Sequence, residues 1–199
     1  MSYPPQPPYA QVLQFWFGDD PAADGIYEQR RSLWFRKSAE TDAVIRDRFL
    51  SLHEQAAQSH LDDWNASAGG SLALVLLLDQ FPRNMFRDTP RAFATDDQAR
   101  AIAQHTITHG LEQFLTPSER LFLYLPLEHS ENLAHQHQAV DLIRPLVDLD
   151  PKLADAYDYA LRHRDVIAQF GRFPHRNRIL NRETTIAEAE FLKQPGSSF

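Results

Sequence analysis

The chain has no cysteine among its 199 residues. That excludes a disulfide frame, a thiolate nucleophile and a thiolate metal site, and it suits a reducing, cytoplasmic setting. A positive excess is missing too: 20 Lys and Arg against 27 Asp and Glu leave a net charge of −7. General electrostatic binding to nucleic acid or anionic lipid is therefore not expected. The longest strongly apolar stretch, Leu72 to Leu78, falls far short of the ~20 residues that cross a bilayer. The proline-rich start, Met1 to Tyr9, has neither the positive region nor the apolar core of a signal peptide. Strand-like alternation, a strict 34-residue repeat, a Gly-rich phosphate loop and any cofactor fingerprint are also absent. No cofactor and no membrane partner are expected, and the chain reads as one soluble domain over residues 1–199.

What is present is helical punctuation. Tyr9 to Phe17 reads as a short aromatic helix closed by Gly18, and a second segment runs from Ile26 to Lys37. Ile45, Phe49, Leu52 and Ala56 follow one another at helical steps and form a single apolar stripe. Asn65 to Gly70 reads as a loop leading into Ser71–Leu78, which is apolar on every side and predicts a central helix packed all round. Pro82 is expected to stop that helix. Thr95-x-x-Gln98, Thr116-Pro-Ser-Glu119 and Thr185-x-x-Glu188 match the capping box, in which Ser or Thr and the residue three on satisfy each other's backbone amides. Gly110 and Gly171 end helices, and Asp150-Pro151 opens one that reaches about Phe170. The three tryptophans, Trp16, Trp34 and Trp64, are expected to pack in the core. The total is an all-α chain of eight to nine helices.

Functional interest lies where polar residues enter apolar stripes. On the last long helix the inward set is Leu153, Ala156, Ala160, His163, Ile167 and Phe170, so His163 stands where a Leu is expected. In the helix expected after Pro126, the stripe His129, Leu133, Gln136, Val140, Ile143 turns His129 and Gln136 inward, with Glu128 and Glu131 on adjacent faces. Such groups need hydrogen-bonding partners once buried. After Gly171 the chain turns basic, with Arg172, His175, Arg176, Arg178 and Arg182 against Glu183 alone. Gln80-Phe-Pro-Arg-Asn84 is echoed there by Arg172-Phe-Pro-His-Arg-Asn177, as a worn duplication or a chance match.

The residues also carry a resemblance. Phe15-Trp-Phe-Gly18, Trp34-Phe35, Leu78-Asp-Gln-Phe-Pro-Arg-Asn84, Ala92-Phe-Ala94, Glu119-Arg120, Tyr124-Leu-Pro126, Glu128-His-Ser-Glu131, the run from Phe170 to Asn177, and Phe191-Leu resemble the signature of one bacterial family. It is the family catalogued as domain of unknown function 924. The resemblance spans nearly the whole chain and implies a tetratricopeptide-like helical array, with no established reaction or partner to carry over. It covers Asp79, Gln80, Arg83, Asn84, Arg120, Glu128, His129, Glu131, Gln136, His163, Arg172, His175, Arg176, Asn177 and Arg182. Asn181 stands where the family pattern has Gly; Asn tolerates the left-handed backbone better than most residues.

Three functional readings stand. In the first, Arg83, Asn84, Arg172, His175, Arg176 and Asn177 hold a small anionic ligand; His129, His163 or His175 is the acid or base, and Glu131 or Glu128 orients it. In the second, the array offers a groove to an acidic peptide, or docks its own proline-rich start or Phe199 on a neighbour. In the third, His129, Glu131, His163 and His175 hold a metal. This last is disfavoured because His-Glu-x-x-His is missing and Glu128 and His129 lie about 100° apart on a helix. Beside all three stands a structural one, in which the arginines only neutralise Asp79, Glu128 and Glu131.

Overall fold

The structure, a computed structural model, describes residues 7–197. The proline-rich start before Pro7 and Phe199 lie outside the described residues, as does any docking role for them. Ten helical segments run α1 (Ala10–Phe17), α2 (Ile26–Phe35), α3 (Ala39–Ala57), α4 (Ala68–Val75), α5 (Phe81–Met85), α6 (Asp96–Thr108), α7 (Pro117–Glu128), α8 (Leu133–Leu149), α9 (Ala154–Phe170) and α10 (Ile186–Phe191), with short 3₁₀ turns between some of them. A π turn, Leu76–Gln80, joins α4 to α5, so residues 68–85 form one continuous rod and the helices number nine among the described residues. No strand occurs among those residues, and no helix there is long and apolar enough to cross a membrane.

The rod is the centre. Every residue from Gly70 to Pro82 is buried, as the all-round apolar run demands. It starts earlier than expected, because the Ser67 hydroxyl caps it by accepting from the Gly70 amide. Gly70 is required there: a Cβ would lie 2.0 Å from the Trp64 carbonyl oxygen. Helices α1, α3, α6 and α7 pack around the rod, and α7, α8 and α9 pack each on the next. Trp16, Phe17, Trp34, Phe81 and Phe122 interlock beside it, with Trp34 and Phe122 centred 4.7 Å apart and the Trp34 Nε1–H donating to the Trp16 carbonyl. On α3 the buried face is Ile45, Phe49, His53 and Ala56; His53 takes the place expected for Leu52, which is half-buried.

Pro82 does not stop the rod. A proline removes the amide that would close on a carbonyl one turn back, which normally breaks a helix. Here the Phe81 amide reaches five residues back to Leu76, and side chains from other helices take the stranded carbonyls. His53 Nδ1 lies 2.9 Å from the Leu77 oxygen, and the Thr95 hydroxyl donates to the Leu78 oxygen at 2.5 Å. That task explains why Thr95 makes no capping box with Gln98, whose amide instead reaches the Ala57 carbonyl. The other two capping boxes, at Thr116 and Thr185, are complete. Gly171 and Asn181 take the left-handed conformation expected of them, at φ 69° and 53°.

The region after Pro126 also differs from expectation. Helix α7 runs through Pro126 to Glu128, and a new helix starts only after Asn132, whose side chain caps it. His129 and Gln136 thus belong to different helices. Gln136 joins them by donating to the carbonyls of Glu128 and Ser130, which the end of α7 leaves open. The echoed motif has two conformations: residues 80–84 continue the rod, whereas 172–177 make a turn around the 3₁₀ segment Pro174–Arg176.

Thr95→Val keeps the shape of the side chain and removes the donor to Leu78. Unfolding in urea should show a loss of about 1–3 kcal/mol with an unchanged m value. A variant as stable as the parent would mean that the stranded carbonyl needs no partner.

Candidate functional site

Where α2, the rod, α7 and α9 meet lies a cavity of about 410 Å³. One wall is aromatic and apolar: Tyr27, Trp34 and Phe35 from α2, with Leu121 and Leu125 from α7. The mouth is basic, lined by Arg31, Arg36, Lys37, Arg83 and Arg87. The floor is polar, made of Gln80, Glu128 and His163, which are buried, and His129, which is partly buried. A larger depression of about 500 Å³, between Ser67 and Phe114, opens widely to solvent. Its one ionisable lining residue, Glu119, is engaged in the Thr116 cap.

The floor is built on Asp79, which projects from the π turn and has no exposure to solvent. Such turns widen a helix locally and are frequent at functional sites. Its carboxylate accepts from His129 Nδ1 at 2.9 Å and from the Gln80 amide at 2.6 Å, and it lies 3.3 Å from Arg83 Nη1. Burial alone would raise its pKa. The Arg83 charge and the bond from His129 outweigh that and hold Asp79 well below the usual carboxylate range. Burial and the same Arg83 charge depress the His129 pKa, so its imidazole is neutral. With Asp79 ionised, Nδ1 must carry the ring proton, which leaves a lone pair at Nε2.

Glu128, beside it in the chain, is in the opposite state. It ends α7 with 4% of its surface exposed. Burial first, and then the negative charge of Asp79, push its pKa up to about 8. It is a neutral acid at pH 7. Its Oε1 is 3.1 Å from His163 Nδ1, and its buried Oε2 has no partner. His163 Nδ1 also lies 2.9 Å from the Tyr159 carbonyl, which only a protonated Nδ1 can serve, and burial drives its pKa down to about 3. Glu128 and His163 thus meet as two neutral groups.

The mouth contains both fixed and uncommitted cations. Arg83 grips Asp96 with both arms at 2.9 and 3.0 Å, and Arg87 and Asn84 both donate to Asp42. Arg31 pairs with Asp155, which also accepts from the Tyr27 hydroxyl. Arg36 and Lys37, both exposed, have no side-chain partner among the described residues.

Of the residues proposed from sequence, Arg83, Asn84, His129 and His163 line the cavity; Glu131, Arg172, His175, Arg176 and Asn177 do not. The basic turn after α9 forms a separate network. Arg172 holds Glu188 at 2.6 and 2.9 Å. Arg182 holds Glu131 at 2.6 and 3.0 Å and also serves Asn177 and the Phe173 carbonyl. Glu131 accepts the Phe173 amide, and Asn177 donates to Thr184 and Glu188. Arg176 is buried between the Phe93 and Phe173 rings and donates to the His129 carbonyl at 3.0 Å. His175 packs beside Phe173, and burial lowers its pKa to about 4. Among the described residues, no three His, Asp or Glu side chains converge as a metal site. The α2 wall and mouth were not found from sequence. Their signal was available: Arg30-Arg31-Ser-Leu-Trp-Phe-Arg36-Lys37 sets four cations around an aromatic pair in an acidic chain.

Residues 12–196 match a family model described as "Bacterial protein of unknown function (DUF924)". A solved structure, of a protein of unknown function from Agrobacterium tumefaciens, is similar: 43% identical, with 93% of this chain and 96% of that one covered and a TM-score of 0.79. No curated protein matches.

Two outcomes follow from the geometry. Glu128 has a folded pKa above its unfolded value, so its contribution to stability is complete below about pH 4.5, falls as pH rises to about 8, and is constant above that. Glu128→Gln escapes that loss. Its stability relative to the parent should grow through this window by a few kcal/mol, read from urea unfolding at several pH values. Parallel curves would mean that Glu128 is already ionised at neutrality. Arg176→Ala should cost about 2–4 kcal/mol in the same assay, because it strips a buried cation from its carbonyl and ring partners. A loss under ~1 kcal/mol would count against that structural role.

Proposed function

The chain belongs to the bacterial family of unknown function DUF924, and from its own geometry we propose that it binds a small organic anion in the cavity between α2, the rod, α7 and α9. The observation that carries this reading is the pairing of uncommitted cations with enclosure. Arg36 and Lys37 stand at the mouth without side-chain partners among the described residues, in a protein of net charge −7, while Trp34, Glu128 and His163 beneath them are nearly sealed from solvent. The cations suit a carboxylate or phosphate. The rings of Tyr27, Trp34 and Phe35 suit an apolar or planar remainder, as small-molecule sites combine a mostly apolar lining with a few placed polar groups. An acidic peptide would use the same cations, but a strand crossing the surface of a tetratricopeptide-like array would leave the buried floor unused. The basic turn at 172–182 takes no part, since Arg172, Arg176 and Arg182 already serve Glu131, Glu188 and backbone carbonyls and Arg178 points to Asp88 outside the cavity lining.

The test is calorimetric titration and thermal shift with phenyl phosphate, benzoate, inorganic phosphate and phenol. The two aromatic anions should bind and raise the melting temperature by mass action, with phosphate and phenol weaker. Arg36→Ala/Lys37→Ala should weaken the aromatic anions about tenfold or more and leave the melting temperature of the free protein unchanged. Equal binding by the double variant, or no shift with any anion, would reject the site.

A further inference from the structure

The cavity read as an organic-anion site leaves two groups on its floor that an anion does not need. A carboxyl at Glu128, with Oε2 buried and unpartnered, repels an anion when ionised and donates a hydrogen bond when neutral. Burial holds it neutral. His129 has Nδ1 committed to Asp79 and therefore offers a lone pair at Nε2. An acid and a base, adjacent in the chain and on one cavity, are kept apart in protonation by their surroundings; such a split is how carboxyl and imidazole roles are divided in acid–base catalysis. Among the described residues no Ser, Thr or Cys lines the cavity, so covalent capture through a hydroxyl or thiol of those residues has no group there to run on. The ligand that satisfies all three features has an anionic group for the mouth, a carbonyl oxygen to accept from Glu128 and an acidic C–H for His129.

Resting on that reading of the cavity, we propose that the site enolises a 2-oxo carboxylate bearing an apolar or aromatic substituent, with His129 as base and Glu128 as acid. His129 Nε2 takes the proton from the carbon next to the carbonyl. The C–H electron pair becomes the new carbon–carbon double bond, and the carbonyl π pair takes the proton from Glu128 Oε2. The product is the enol, of the same composition as the substrate. Imidazolium and carboxylate remain on the protein, the imidazolium against the ionised Asp79, and both reset by exchange with water. No oxidant, reductant or second substrate is required. Return of a proton to carbon completes the exchange of that hydrogen with solvent.

The probe is phenylpyruvate in D₂O with the full chain, its C3 hydrogens followed by NMR and its binding by calorimetry. Deuterium should enter C3 at least ~100-fold faster than in buffer. His129→Asn supplies an amide N–H to Asp79 but no base, and Glu128→Gln supplies a donor that cannot give up its proton. Each should lower the acceleration about 100-fold or more while the dissociation constant stays within severalfold. Phenylpyruvate that binds, loses affinity in Arg36→Ala/Lys37→Ala and yet exchanges at the buffer rate would overturn the catalytic step and leave the binding reading intact. Exchange undiminished in both floor variants would overturn the assignment of acid and base. Failure of phenylpyruvate to bind, together with failure of the simpler aromatic anions, would remove both readings.

Discussion

A carboxylate that folding removes completely from water must be neutralised, and Asp79 imposes that requirement on the centre of this protein. It sits on the rod that every neighbouring helix packs against, and its charge is met by Arg83 and hydrogen-bonded by His129 and Gln80. Arg83 in turn grips Asp96 at the start of α6, and Arg176 lies 3.9 Å from the same carboxylate. Arg176 closes the circle by donating to the His129 carbonyl. Two carboxylates and two guanidiniums thus join the rod, α6, the end of α7 and the turn after α9. Removing a single member of so buried a set strands a charge, a far larger penalty than the net worth of any one pair.

The same constraint sets the chemistry of the floor. Asp79 fixes the tautomer of His129 by accepting its Nδ1 proton, and its negative charge discourages ionisation of Glu128. Asp79 thus sets which nitrogen of His129 carries the proton, burial and the Arg83 charge keep that imidazole neutral, and burial together with Asp79 keeps the adjacent Glu128 neutral. The π turn places Asp79 there, and its irregularity is absorbed by His53 and Thr95, which hold the carbonyls left open around Pro82. The irregular turn in the rod and the polar floor of the cavity are one arrangement seen from two sides.

Legibility from sequence varied by element. The all-round burial of Ser71–Leu78, the caps at Thr116 and Thr185, the inward His163 and the left-handed Asn181 follow from local pattern and residue type, and all four are present. The passage of the rod through Pro82 was not legible, because its carbonyls are satisfied by residues 24 and 17 positions away in the chain. The place of His129 was misread because Pro126 lies inside α7 and the true break falls at Ser130 to Asn132. His129 and His163 were expected near a functional centre and do line one cavity. Arg172, Arg176 and Asn177 were grouped with them because their turn follows directly on the helix of His163, and instead hold the C-terminal turn together.

By itself the sequence determined the all-helical class, most helix ends and the inward turn of its buried polar groups, since these depend on periodicity and capping within a few residues. Only the tertiary structure decided which cations are spent on carboxylates and which remain at a mouth. Arg83, gripped by Asp96, and Arg36 and Lys37, exposed and without side-chain partners among the described residues, look alike in sequence. It also decided the protonation of Glu128 and His129. Those states depend on burial and on the charges of Asp79 and Arg83, far off in the chain, and a carboxyl carries no mark in sequence of the water it will lose.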